Sequence, residues 1–225
     1  MEELYKNKFE KHRDEIRKIV KFLRKNYEVS NNFILRLLKG LNYLQMAYWG
    51  TDDIIDEGNN IERRIEELLQ IHIGINNFYN WLVFNFSQEI VERVLNSYNK
   101  AFKEMIEVPL ELYNTLKLLR KECNEEIIEK IMELRSKHVI LYWYTALAFV
   151  EKDENKIKKI ARYFHLKRTI ELIDKDRNDR EIDKISGEFN IYNFAENVKG
   201  IDIREIKRKF KKRVKKLERI LNDMA

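Results

Sequence analysis

Two groups of carboxylates with matching spacing are the residues of this chain best suited to chemistry. Asp52 and Asp56 are four residues apart with Asp53 beside them, and Asp179 and Asp183 repeat that spacing much later. Residues four apart lie on the same face of a helix, so each pair can converge on one ligand. Carboxylate oxygens suit Mg²⁺, which proteins often bind through carboxylates together with phosphate oxygens. The two groups therefore predict a magnesium site for a phosphorylated ligand.

Each group also has a simpler interpretation as ordinary solvated acids at the end of a helix. Against this, the first group follows a long apolar segment, where mutual repulsion and the helix dipole make clustered acids costly without a cation. The second group lies among basic side chains that can neutralise phosphate charge, namely Lys167, Arg168, Lys175, Arg177, Arg180 and Lys184. Asp176 with Asp179 is an alternative register for the second group.

Helices must position both groups, because the chain has only one Pro and six Gly among 225 residues. So few helix breakers leave little room for a turn-rich β architecture. Apolar periodicity predicts a first helix over 4–27, a much more apolar second helix to about Glu57, and a C-terminal helix over 203–223. We expect one all-α domain, residues 1–225, of about eight to ten helices around a central apolar cavity.

Local signals predict where several of these helices begin and end. Ser30 or Asn31 can cap the second helix, and Gly74 is a candidate interruption of the third. Asn124 is expected to open a long helix reaching Val150, and Asp153 to open the helix that ends near the second acidic group.

The stretches around both acidic groups resemble motifs of the squalene/phytoene synthase family of isoprenoid synthases. The first is Tyr48-Trp49-Gly50-Thr51-Asp52-Asp53-Ile54-Ile55-Asp56-Glu57, which is similar to an aromatic-R-x-x-D-D-I-V-D-E motif. The second is Asn178-Asp179-Arg180-Glu181-Ile182-Asp183 with a trailing Gly187 to Tyr192, which looks like R-D-x-x-x-D followed by G-R-x-Y. The chain departs from the family at Trp49 and Asn178, where the family has arginines.

The resemblance implies a Mg²⁺-dependent enzyme that joins prenyl diphosphates head to head or ionises one of them. Asp52, Asp56, Asp179 and Asp183 would then be catalytic metal ligands, supported by Asp53 and, in the alternative register, by Asp176. The predicted substrate-binding residues are Tyr48 and Tyr192, which the resemblance implies, and the basic residues Lys167, Arg168, Lys175 and Arg180, which can neutralise phosphate charge. Terpene synthase or trans-prenyltransferase-like activity is an alternative, and so is a catalytically inactive helical binding protein.

Aromatic side chains could line a cavity for a carbocation, whose charge their faces stabilise. The candidates are Phe78, Trp81, Tyr142, Trp143 and Tyr144, for which ordinary core packing is the competing interpretation.

The net charge of +6 is concentrated in one place. Ten Lys/Arg and two Glu lie between Arg204 and Arg219, leaving 34 Lys/Arg and 36 Asp/Glu elsewhere. The C-terminal segment 203–225 is therefore a basic amphipathic helix, which can pack on the body with a solvated back or contact an anionic membrane. Nucleic acid is a less favoured partner for a nearly neutral body.

The setting of the protein is predicted from its cysteine content and its lack of an apolar run near 18 residues. A single cysteine, Cys123, allows no intrachain disulfide, so a cytoplasmic location, with possible peripheral contact to the membrane, is expected. The sequence carries no indication of oligomeric state.

Overall fold

The computed structural model describes residues 2–56, 61–119, 124–186, 189–196 and 201–224, and for 2–13, 48–56, 61–67 and 186 it describes the backbone alone. These residues form α-helices and no strand, which confirms the all-α prediction. The central apolar cavity stays a prediction. The eleven helices of the described residues are α1 (Glu2–Asn26), α2 (Asn31–Asp56), α3 (Ile61–Asn85), α4 (Gln88–Ile106), α5 (Val108–Leu119), α6 (Glu125–Arg135), α7 (Val139–Leu147), α8 (Glu154–Asn178), α9 (Arg180–Ser186), α10 (Ile191–Glu196) and α11 (Ile203–Asn222).

The chain divides into two compact units, each of which has its own core. Unit 1 comprises Met1–Lys100 and Tyr142–Lys152, and unit 2 comprises Ala101–Leu141 and Asp153–Ala225.

In unit 1, glycines allow α2 and α3 to pack closely. A Cβ added at Gly74 would lie 2.7 Å from the backbone nitrogen of Ala47, and one added at Gly40 would lie 2.3 Å from the Trp81 ring. Gly74 therefore does not interrupt α3, which runs unbroken from Ile61 to Asn85. Its lack of a side chain serves helix packing instead of helix termination.

The aromatic side chains considered as cavity liners lie in the core of unit 1. Phe78, Trp81, Tyr142, Trp143 and Tyr144 are all buried. The Phe78 and Trp81 ring centroids are 5.8 Å apart, and the Trp143 indole N–H donates to the Glu15 carboxylate at 2.7 Å. Aromatic pairs at this separation are typical of close core packing.

Unit 2 is built around α8, against which α6, α10 and α11 pack. Its buried core joins Ile131 of α6, Ile173 of α8 and Ile191 of α10 to Phe210 of α11. The predicted C-terminal helix is thus present as α11, and its apolar stripe is the face that packs into this core.

Several predicted helix starts are confirmed by their capping hydrogen bonds. The Ser30 hydroxyl accepts from the Phe33 N–H at 3.1 Å, and the Asn124 side chain accepts from the Ile127 N–H at 2.9 Å. Asp153 caps α8 in the same way. These side chains satisfy backbone donors that the first helical turn leaves unpaired.

The predicted long helix from Asn124 to Val150 is wrong, because it divides into α6 and α7 at Ser136. The Ser136 hydroxyl lies within hydrogen-bonding distance of the carbonyls of Met132 and Glu133 and, at 2.7 Å, of the Thr169 hydroxyl. A buried hydroxyl that bonds the preceding carbonyls bends or ends a helix.

Across the described part of the chain, none of the helices combines the length and the hydropathy that a bilayer span requires.

Candidate anion-binding site

The first acidic group lies on the last turns of α2 in unit 1. The side chains of Asp52, Asp53 and Asp56, and that of Tyr48 one turn earlier, lie outside the described residues. Their assignment as magnesium ligands and substrate contact stays a prediction.

Asp176, on α8, is held in the interior of unit 2 by the protein itself. Its side chain is 2% exposed, and both of its oxygens accept from the Arg135 guanidinium, at 2.6 and 3.1 Å. One of those oxygens also accepts the backbone N–H of Ile191 at 3.1 Å. This buried, bidentate pair joins α6, α8 and the start of α10.

Asp179 and Asp183 also have protein partners. Asp179 is the C-terminal cap of α8, and its carboxylate lies 3.6 Å from the Lys175 ammonium. Asp183 accepts from the Asn190 side-chain amide at 2.7 Å. The two residues are linked through the backbone, where the Asp183 N–H donates to the Asp179 carbonyl at 2.8 Å.

A magnesium ion does not fit the second acidic group in the described arrangement. Within the described ranges, no set of three or more His, Cys, Asp or Glu residues could hold a metal. Asp176 is occupied by a guanidinium, Asp179 by an ammonium and Asp183 by an amide. A cation bound to this group would compete with these partners.

The acids instead position the start of α10. The side-chain amide of buried Asn190 donates to the Asp176 backbone carbonyl at 2.6 Å and to the Asp183 carboxylate, and the side-chain Oδ1 of Asn190 accepts the Tyr192 N–H at 3.0 Å. The side-chain amide of Asn193 donates to the Arg180 carbonyl at 2.7 Å. This network fixes Arg180 and Tyr192 on one wall of a cleft.

That cleft has a volume of about 820 Å³ and lies wholly within unit 2. Small-molecule sites commonly have volumes of about 300–1,000 Å³, so its size suits a small ligand. Six cations and three acids contribute to its lining, together with Tyr192 and a few small or apolar side chains. The cations are Arg177, Arg180, Arg204, Lys207, Arg208 and Lys211, and the acids are Asp174, Glu196 and Asp202.

Some of these cations are neutralised locally. Lys207 pairs with Asp174 and Arg180 with Glu196. Arg208 pairs with Glu205, whose hydrogen bond raises the pKa of the Arg208 guanidinium.

The remaining cations give the cleft its capacity for an anion. Arg177, Arg204 and Lys211 have no ion-pair partner among the described residues. The Arg180 Nε is buried without a hydrogen-bond acceptor in the described structure. A buried donor without an acceptor is costly, and unpaired cations favour an anionic ligand. Arginine is especially suited to phosphate because its fork can bind two oxygens at once.

Two of the six predicted substrate-binding residues, Arg180 and Tyr192, therefore line one cleft, and the Arg180 guanidinium lies 6.0 Å from the Tyr192 ring centroid. The other residues described with side chains have different surroundings. Lys167 lies 5.3 Å from the Tyr163 ring, Arg168 lies 3.3 Å from Glu171, and Lys175 pairs with Asp179. None of these three lysine and arginine residues lines the cleft.

The α11 residues that line the cleft were not among the site residues predicted from the sequence. Arg204, Lys207, Arg208 and Lys211 carry a visible signal, the local concentration of positive charge. That signal indicates a basic helix, but it does not reveal that the flank of α11 faces Arg180.

Comparison with known proteins finds no matching family model, no matching curated protein and no matching solved structure.

Proposed function

We propose that this protein binds a prenyl diphosphate, with the diphosphate in the cationic cleft of unit 2. The observation that carries the proposal is that Arg180 and Tyr192, predicted from the sequence as substrate contacts, line the same cation-rich cleft. The lining carries six cations against three acids, which complements the negative charge of a diphosphate. Charge-assisted contacts of this kind are about twice as strong as neutral hydrogen bonds.

The catalytic part of the proposal is loss of the diphosphate from an allylic prenyl group, followed by coupling or rearrangement of the remaining carbocation. Negative charge grows on the diphosphate as its carbon–oxygen bond breaks. Cations such as Arg177 and Arg204 would stabilise that charge. Magnesium that accompanies the diphosphate would supply further neutralisation of its charge.

Binding is tested by titrating the protein with farnesyl diphosphate and with inorganic diphosphate, each with and without Mg²⁺. The informative variant combines R177Q, R204Q and K211Q, since these exposed cations can be neutralised without breaking a described ion pair. Hydrogen bonds to charged groups contribute about 1.5–3 kcal/mol each, so the triple variant should bind more than a hundredfold less tightly. Unchanged affinity in this variant would contradict the proposal.

A matched control is K21Q/K103Q/K117Q, which removes the same three charges from exposed positions outside the cleft. It should bind like the unmodified protein. Equal weakening in the control would show that net charge, and not the cleft, governs affinity.

A second candidate is a helical protein that binds the same ligand without turnover. It is favoured by the engagement of Asp176, Asp179 and Asp183 with protein partners. Incubation with farnesyl and geranylgeranyl diphosphates plus Mg²⁺, followed by product analysis, separates the two candidates. Release of inorganic diphosphate that D52N abolishes supports the enzyme, whereas binding without release supports the second candidate.

A further inference from the structure

Apart from Arg208, which pairs with Glu205 of the same helix, the cations of α11 fall into two sets with different surroundings. The first set faces acids of α6 and α8. Lys209 lies 2.7 Å from Glu125 and 2.9 Å from Glu129, and Arg213 lies 2.7 Å from Glu133. Together with the apolar stripe, these pairs fix the helix to unit 2.

The second set, here called the outward cations, is exposed and has no ion-pair partner in the described part of the chain. None of its members belongs to the packed stripe: on a helical projection Lys212 and Arg219 lie opposite the stripe, and Lys211 lies on its flank. The first and last members are 15 residues apart, which corresponds to about 22 Å of helix. The outward cations are Arg204, Lys211, Lys212, Lys215, Lys216 and Arg219.

An extended, flat row of unpaired cations fits an anionic surface better than a single small anion. A second feature of unit 2 favours lipid over nucleic acid. The short helix α9 exposes two large aliphatic side chains, Ile182 at 67% and Ile185 at 88%. Such side chains can enter the headgroup region of a bilayer, as in interfacial helices, whereas phosphate backbones offer them no comparable partner.

We infer that the outward cations of α11, with Ile182 and Ile185 of α9, dock this protein on a membrane surface containing anionic lipid. Two outward cations, Arg204 and Lys211, also line the cleft, and Arg180, the first residue of α9, lines it too. Residues of both docking elements therefore line the cleft. On the proposed function, this arrangement would let an amphiphilic prenyl diphosphate reach the cleft from the membrane.

The test is co-sedimentation with vesicles of phosphatidylcholine, with and without phosphatidylserine, at fixed ionic strength. The full chain should bind only when phosphatidylserine is present. The variant K212Q/K215Q/K216Q/R219Q neutralises outward cations that do not line the cleft. Because each cation near an anionic surface contributes about fivefold, it should lose at least about a hundredfold in partitioning. I182S/I185S should weaken vesicle binding several-fold.

The control K21Q/K39Q/K103Q/K117Q removes four exposed charges elsewhere and should partition like the unmodified protein. Binding of inorganic diphosphate should be unchanged in the docking variants, so that a failure of docking and a failure of the proposed function are distinguishable. The inference is overturned by equal binding to pure phosphatidylcholine, by equal losses in the control, or by binding to RNA without binding to vesicles.

Discussion

The acid-rich segment 174–183 and the basic helix α11 are both dense in charge, yet the structure uses them in opposite ways. Asp176, at the centre of the first, is buried and its two oxygens are occupied by Arg135. Along α11, a row of cations remains exposed and unpaired among the described residues. The difference shows that a run of like charge indicates a ligand only where the fold leaves that charge without a protein partner.

The largest effect is expected from replacing Asp176, the buried carboxylate of the acid-rich segment. D176N leaves the Arg135 charge without its carboxylate in a mostly buried position. Removing one partner of a buried pair costs about 3 kcal/mol or more, so the free energy of unfolding in urea should fall by about that amount. The matched variant is D179N, whose carboxylate lies 3.6 Å from an exposed lysine, and it should lose well under 1 kcal/mol.

Equal stability of D176N and D179N would show that Asp176 is not a structural carboxylate. If Mg²⁺ stabilised the unmodified protein but not D176N, Asp176 would instead be a metal ligand.

Acidification should destabilise unit 2 through His165, which is buried on α8. Burial lowers the pKa of His165 to about 4, and Arg162, 2.9 Å from its Nδ1, acts in the same direction. Between pH 6.5 and 4 the unfolded chain therefore binds a proton that the folded chain does not. Stability should fall as the pH decreases through this window, by up to about 1.4 kcal/mol per pH unit from this group.

This pH dependence is measured as the urea midpoint at several pH values, for the unmodified protein and for H165Q. The slope between pH 6.5 and 4 should be shallower in H165Q, because its titration is removed. H72Q, which removes an exposed histidine of α3, should keep the full slope. Identical slopes in all three proteins would contradict the assignment.

Much of the fold follows from local sequence signals, because caps and apolar periodicity act within a few residues. Ser30, Asn124 and Asp153 each begin a helix as predicted. At Ser136, where the predicted helix breaks, the hydroxyl also lies 2.7 Å from that of Thr169, and a contact between residues 33 apart is not contained in a local signal. Gly74 is a predicted interruption of α3 but lies within that helix, and α2 occupies the space that a side chain at Gly74 would need.

The candidate site, like the fold, could be predicted from the sequence only in part. The resemblance at the second motif selected Tyr192, and the basic surroundings of that motif selected Arg180; both residues line the cleft. The resemblance also selected Asp183, and the alternative register selected Asp176; both residues accept hydrogen bonds from Asn190. The wall formed by α11 could not be predicted, because which flank of a basic helix faces a cleft is decided by tertiary packing.

The smallest expected effect is the difference in stability between a variant that removes a paired cation of α11 and one that removes an unpaired cation. R213Q removes a guanidinium that contacts both Glu129 and Glu133. The free energy of unfolding should therefore fall by about 1 kcal/mol, the upper end of the range for exposed ion pairs. K212Q removes the same charge one residue earlier, on the outward face, and should leave stability unchanged or slightly raised by relief of repulsion between neighbouring lysines. Vesicle binding should rank the two variants in reverse, with K212Q the weaker binder. If R213Q instead lost more vesicle binding than K212Q while unfolding no more easily, the division of α11 into a packed face and a docking face would be wrong.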